Sequence, residues 1–225
     1  MVPVSYHALK NPIVWIDCEM TGLDLSIDEL VEVSVVITDS ELNPIDEGID
    51  LLIKPSPEAV AHMDDFVRTM HTNSGLIDEW DEGLELGEAQ AEVLAYIKRF
   101  VPCERKAPLG GNSVGTDKAF LEKYMPEITE HLHYRIVDVS SIKELAKRWY
   151  PRAYFAAPDK TGNHRALGDI YDSIDELRYY RGVLMPAGDG PTTKVCEAVA
   201  KQAFGKTVAL AAGKKAPASE DSSER

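Results

Sequence analysis

Leu30 to Asp39 reads L-V-E-V-S-V-V-I-T-D, an alternating, β-branched run with the two-residue period of a strand. Two more β-prone runs flank it, Pro12 to Glu19 and Gly48 to Lys54. Turn residues separate them, Thr21-Gly22-Leu23-Asp24 on one side and Leu42-Asn43-Pro44 on the other. Three strands this close in sequence need no crossover, so the pattern predicts an antiparallel meander.

The rest of the chain alternates between periods. Gly87 to Val101 carries apolar residues at helical spacing (Ala91, Leu94, Ala95, Ile97) and stops at Pro102. A short strand, Ala107 to Gly111, precedes a helix at Thr116 to Tyr124. Another strand, Tyr134 to Val139, runs into a helix from Ser140 or Ser141 to Trp149, with Ser141 and Glu144 at capping-box spacing. A final helix, Ala166 to Leu184, has the stripe Leu167, Ile170, Ile174 and Leu177. The order β-β-β-α-β-α-β-α-α predicts an α/β domain: a ribonuclease-H-like mixed five-stranded sheet flanked by helices.

Charge narrows the functional classes. The 225 residues hold 38 acidic and 24 basic side chains, net −14. Residues 187–225 have six basic and five acidic residues, so residues 1–186 hold the remaining 18 and 33, net −15. Such a domain is repelled by long polyanions, which excludes a protein that coats long duplex nucleic acid. Nucleic acid, if handled, must be held by a local pocket, a metal or a very short substrate. The folded domain is expected at residues 9–186. Residues 187–225, rich in Ala, Lys, Gly and Ser, read as a flexible C-terminal tail. Within it Thr192 to Ala212 has the makings of a short helix that Gly205 weakens. Three scattered cysteines (Cys18, Cys103, Cys196), no signal-peptide pattern and no long apolar run lead to an expected cytoplasmic location without membrane association.

The chemistry rests on acids. Asp17 and Glu19 are i and i+2 on a strand, so both carboxylates project from one face while Cys18 turns into the core. Asp117 follows the tight turn Gly111-Asn112-Ser113-Val114-Gly115, and His164 and Asp169 open the last helix. Each feature has a plainer reading: two solvated acids at a strand end, a helix-dipole acid, a structural histidine.

Together, in this chain order, Asp17-x-Glu19, Asp117 and His164-x-x-x-x-Asp169 resemble the pattern of the DEDDh 3′-to-5′ exonucleases. The runs W-I-D-C-E-M-T-G-L, G-N-S-V-G-T-D, H-Y-R-I-V-D-V-S and K-E-L-A-K-R-W are similar to the oligoribonucleases among them, over residues 11–185. The resemblance implies two divalent cations, Mg²⁺ or Mn²⁺, held by Asp17, Glu19, Asp117 and Asp169, with Asp117 acting partly through water. It implies His164 as the general base and Tyr134 as an active-site tyrosine reaching toward a partner subunit's site in a homodimer. It also implies a substrate-binding set. Leu23 and Phe66 wedge or sandwich bases, Phe66 standing where relatives often carry Trp. His71, Ser113, Arg135 and Ser140 cap the 5′ phosphate of a dinucleotide, and Asn112 and Tyr134 complete the set. The implied activity is hydrolysis of very short RNA to 5′-mononucleotides. The rival activities are trimming of longer DNA or RNA 3′ ends and non-catalytic nucleotide binding. Tyr134, Arg135 and Ser140 also fit a plainer role, completing hydrogen bonds at strand ends. Asp138 reads as a helix N-terminal acid, His62, His131 and His133 as surface or packing residues, and Met20, Met63 and Met70 as core fillers.

Overall fold

The computed structural model describes residues 9–159 and 165–211. Its elements run β1 (Ile13–Met20), β2 (Leu30–Thr38), β3 (Ile49–Leu52), α1 (Pro57–His62), α2 (Asp65–Ser74), α3 (Leu76–Glu79), α4 (Leu86–Phe100), β4 (Pro108–Gly111), α5 (Gly115–Tyr124), α6 (Pro126–His131), β5 (His133–Asp138), α7 (Val139–Trp149), α8 (Pro151–Phe155), α9 (Ala166–Leu184) and α10 (Thr193–Ala211). The sheet order is β3-β2-β1-β4-β5. The first three strands form the antiparallel meander, while β1–β4 and β4–β5 pair in parallel. This is the predicted mixed five-stranded sheet.

Both faces of the sheet are covered, and that explains the sequence of its inner strands. Val14, Ile16, Cys18 and Met20 of β1 join Val33, Val35 and Ile37 of β2 in a core closed by α4, α5 and α6. On the opposite face Trp15 and Val36 meet Val139 of α7 and Ile170, Ile174 and Leu177 of α9. All nine residues of β2 are buried, polar ones included. The alternation of β2 therefore marks two buried faces rather than a wet one and a dry one.

Several short helices lie where the sequence shows no periodicity. Ser56 caps α1 by accepting from Ala59 N–H, with Pro57 at the first helical position. Asp64 caps α2 by accepting from Val67 N–H, and Gly75, at φ 82°, ends it in the left-handed region. These helices and a 3₁₀ turn at Trp80–Glu82 bring Met63, Leu76 and Trp80 onto Val31. Helices of four to six residues, such as α1, α3, α6 and α8, are too short to display a 3.6-residue repeat; their caps and prolines are the legible signal.

The chain divides into two compact units after Val183. In the second, α10 runs 19 residues and passes straight through Gly205. The short helix that Gly205 argued against is thus a long one. Among the described residues no helix is long and apolar enough to cross a membrane.

Candidate active site

The site forms where β1 ends. Its odd-numbered side chains face α9, so Asp17 and Glu19 leave the sheet on the side from which Asp169, in the first turn of α9, approaches. One carboxylate oxygen from each of Asp17, Glu19 and Asp169 lies within 4.8 Å of the other two. Asp117, in the first turn of α5 and buried, stands just outside this triad. Its Oδ1 accepts the backbone N–H of Cys18 at 3.1 Å. Three of the four predicted acids therefore converge directly, and the fourth is fastened to the strand between the first two.

Burial and like charges dominate the electrostatics. Burial, reinforced by Glu32, Asp169 and Asp117, pushes the Glu19 carboxyl up to about 8, against a smaller opposing effect of Arg165. Burial pushes Asp117 up to about 6, opposed by the hydrogen bonds of its own N–H and that of Cys18. The Cys18 thiol is driven up by burial and by Asp117, Asp17 and Glu19, so it is a packing group and not a nucleophile. An all-oxygen set, partly buried and held together against its own repulsion, suits a hard divalent cation, whose charge would relieve that repulsion.

His164 lies outside the described residues. Its neighbour Arg165 donates from Nε to Glu32 Oε1 at 2.8 Å, and the Ala166 N–H donates to Glu32 Oε2 at 2.9 Å. Arg165 also meets Glu79 at 3.1 Å and Asp50 at 3.9 Å. Glu32 is fully buried and went unread in the sequence.

The substrate-binding candidates separate into groups. Leu23 and Phe66 are the most open of them, 75% and 76% exposed. Leu23 rides on a braced loop. Asp28, itself buried, accepts from Thr21 Oγ1 at 2.9 Å and from the Asp24 N–H at 2.8 Å. Gly22 leaves room for this brace, because a Cβ there would sit 2.4 Å from Asp28 Oδ2 and displace the carboxylate. Asn112, Ser113 and Ser140 gather at the ends of β4 and β5. Ser113, at φ 51°, donates its N–H to Asp138 and to Ser140 Oγ, both at 3.0 Å. A non-glycine residue held in this region signals a backbone constrained by its surroundings. Ser140 Oγ donates to Asn112 Oδ1 at 3.0 Å, while Asn112 Nδ2 turns inward to Ser173 Oγ at 2.8 Å and Glu176 at 3.1 Å. Asp138, as expected, caps α7.

The remaining candidates are His71, Arg135 and Tyr134. His71 is fully buried; its Nε2 donates to the Met20 carbonyl at 2.8 Å, and its Nδ1 lies 4.0 Å from Glu19 Oε2. Arg135 flanks the Tyr134 ring at 5.4 Å and lines a cavity with Asn11, Lys106 and His133. Tyr134 is 68% exposed on β5, the edge strand, stacked on His133. Of the plainly read residues, His131 is buried and bonds the Val101 carbonyl, and His62 is exposed. Met20 and Met63 are buried, and Met70 is half-buried.

The chain is similar to known exonucleases. The family model described as Exonuclease matches residues 14–177. The chain is 59% identical to the oligoribonuclease of Leifsonia xyli over 189 residues, 84% of this chain and 91% of that one. It is 57% identical to that of Cutibacterium acnes, covering 84% and 93% of the two chains. With that of Mycobacterium avium it shares 48% over 215 residues, 95% and 97% of the two chains. Exonuclease I from Methylocaldum szegediense has the same fold at a TM-score of 0.54 and 19% identity, over 77% of this chain and 41% of that one. E. coli exonuclease I in complex with a dA16 oligonucleotide gives 0.55 and 15%, over 78% and 42%. The chain thus spans about two-fifths of the length of these solved structures.

Proposed function

The chain belongs to the oligoribonuclease family of 3′-to-5′ exoribonucleases, and on that premise we propose that it hydrolyses very short RNA, dinucleotides above all, to 5′-mononucleotides. The observation that carries the reading is the meeting of Asp17, Glu19 and Asp169 oxygens within 4.8 Å. Two bound ions, Mg²⁺ or Mn²⁺, would offset the charge of the attacked phosphate and of the departing 3′ oxygen. Asp17 and Glu19 would hold that pair from the strand and Asp169 from the helix. Asp117 adds a further negative charge behind them. His164, one residue ahead of Arg165, takes the proton from the attacking water, a task suited to an imidazole with an ordinary pKa of about 6.5.

Three features support a short substrate. The domain's net −15 repels long polyanions. Leu23 and Phe66 offer open apolar surface to bases. Ser113 on its constrained turn and Ser140 in the first turn of α7, hydroxyl oxygens 3.1 Å apart, suit the capping of a 5′ phosphate, with Asn112 fixing Ser140. Arg135 and His71 complete the proposed cap. The test is a product time course on RNAs of two, five and ten residues, with and without EDTA. Preference for the longest chain per mole of ends favours trimming of long 3′ ends instead. Unchanged product yield from Asp17→Ala in Mg²⁺ favours non-catalytic binding.

A homodimer fits the exposed Tyr134 and Ile136 on the open edge of β5 and the exposed Leu145 and Trp149 on α7. In that assembly Tyr134 serves the partner's site. Sedimentation of Ile136→Asp against the parent checks it; equal mass for both, as monomers, ends the dimer reading. We assign the activity to residues 9–186, in the cytoplasm, and treat 187–225 as an accessory tail; loss of activity on deleting 190–225 refutes that division.

A further inference from the structure

We infer that Glu32 is a positioning residue for the acidic triad, a gauge that sets the first turn of α9, and with it Asp169, against the strand that carries Glu19. The inference rests on reading Asp17, Glu19 and Asp169 as a cation site.

Glu32 and Glu19 are Cα partners across the antiparallel β1–β2 pair, so the backbone ladder fixes one end of the gauge. The other end is the side chain. One oxygen takes Arg165 Nε–H at 2.8 Å and the other takes the Ala166 N–H at 2.9 Å, in a place with no access to water. Ala166 opens α9, so its N–H is one of those a helix leaves without a partner of its own, and a carboxylate from the neighbouring strand does what a capping residue does elsewhere. The chain from there to the triad is one hydrogen bond long: Asp169 N–H donates to the Arg165 carbonyl at 3.1 Å. A shift at Arg165 and Ala166 is therefore a shift at Asp169.

Charge pairing alone does not explain the arrangement. Arg165 already has Glu79 at 3.1 Å and Asp50 at 3.9 Å as counter-charges. The contact particular to Glu32 is the one to the Ala166 backbone. Nor does Glu32 belong to the cation-holding group, which is Asp17, Glu19 and Asp169; its oxygens are turned to Arg165 and Ala166. Residues that orient ligands without touching the metal change metal affinity or activity by about 10–100-fold when altered.

The test is a calorimetric titration of the full chain with Mg²⁺ alone, on the parent, Glu32→Gln and Arg165→Gln, with thermal melts to check folding. Positioning predicts that both variants bind more weakly, Glu32→Gln by about 10–100-fold, while the dinucleotide KM at restored Mg²⁺ saturation stays that of the parent. A field effect makes them diverge: Glu32→Gln removes a negative charge and weakens binding, whereas Arg165→Gln removes a positive charge and tightens it. Arg165→Gln binding Mg²⁺ as tightly as the parent, or more tightly, overturns the inference, as does unchanged affinity in folded Glu32→Gln. Should Glu32→Gln fail to fold, Arg165→Gln decides alone, its side chain being only partly buried. A parent that binds no Mg²⁺ overturns the cation reading itself, and this inference with it.

Discussion

Asp117 and Cys18 are joined by a hydrogen bond from the backbone of β1 to the side chain of α5, across 99 residues of sequence. Asp117 thus has two separable duties: its oxygen satisfies a buried N–H, and its charge adds to the acidic site. Asp117→Asn keeps an acceptor for Cys18 and removes the charge. It is expected to melt close to the parent yet lose activity by about 10–100-fold, the usual effect of a residue supporting ligands. Asp117→Ala strips away both, leaving the Cys18 N–H buried without an acceptor at a cost of about 1–3 kcal/mol. Parallel melts and dinucleotide assays separate the two duties; equal melting of Asn and Ala variants removes the structural one.

The raised carboxyls give the metal-free protein a pH dependence of definite sign. Glu19 stands at about 8 and Asp117 at about 6 in the fold, against ordinary values of 4.5 and 3.8. The folded state therefore binds protons that the unfolded chain has already lost. This contribution is fully present below the ordinary values and fades as pH rises through about 6 and then about 8. In EDTA the melting temperature should fall from pH 5 to 8.5. Mg²⁺, which needs these groups ionised, should restore more at the alkaline end and release protons on binding near pH 7. Melts in EDTA that rise over the same range contradict the burial of these acids.

The loop that presents Leu23 should behave as a rigid part. Gly22→Ala drives a methyl group into Asp28, and overpacking of this kind costs about 1–3 kcal/mol. Asp28→Ala releases Thr21 and the Asp24 N–H. Both changes free Leu23 from its fixed position, so the dinucleotide KM should rise while Mg²⁺ affinity, governed by other elements, holds. Leu23→Ala sets the scale: if it raises KM and neither loop variant does, the brace is irrelevant to binding.

Asp17 and Glu19 were legible because a strand's two-residue period and the end of an apolar run suffice to put two acids together. Asp117, His164 and Asp169 gained meaning through the family's chain order, since nothing local distinguishes an acid in a first helical turn from a dipole partner. Glu32 was not legible. In L-V-E-V-S it occupies the place a solvent-facing residue takes in a half-buried strand, and its partner Arg165 lies 133 residues away. Asp28 hid for a related reason: an acid in a turn looks like turn chemistry until the structure shows what it braces. The nearness of His71 to Glu19, 4.0 Å, left no trace because the short helix α2 carries it inward, and that helix has only its caps to announce it. Periodicity finds long elements and their faces; buried polar partners distant in sequence leave no periodic trace.

Phe66 offers the sharpest test of substrate contact, because its ring is open and burdened with no other task. It is 76% exposed on α2, so truncation removes no core packing. Base–aromatic stacking is worth about 1–3 kcal/mol per base. Phe66→Ala should therefore raise the dinucleotide KM by roughly 5- to 150-fold with melting unchanged. Phe66→Trp enlarges the stacking face and should lower KM below the parent value. The pair of variants is informative because it moves one property, ring area, in opposite directions while leaving the acids alone. If Mg²⁺ affinity is constant across both and KM does not follow ring size, bases do not stack on this residue.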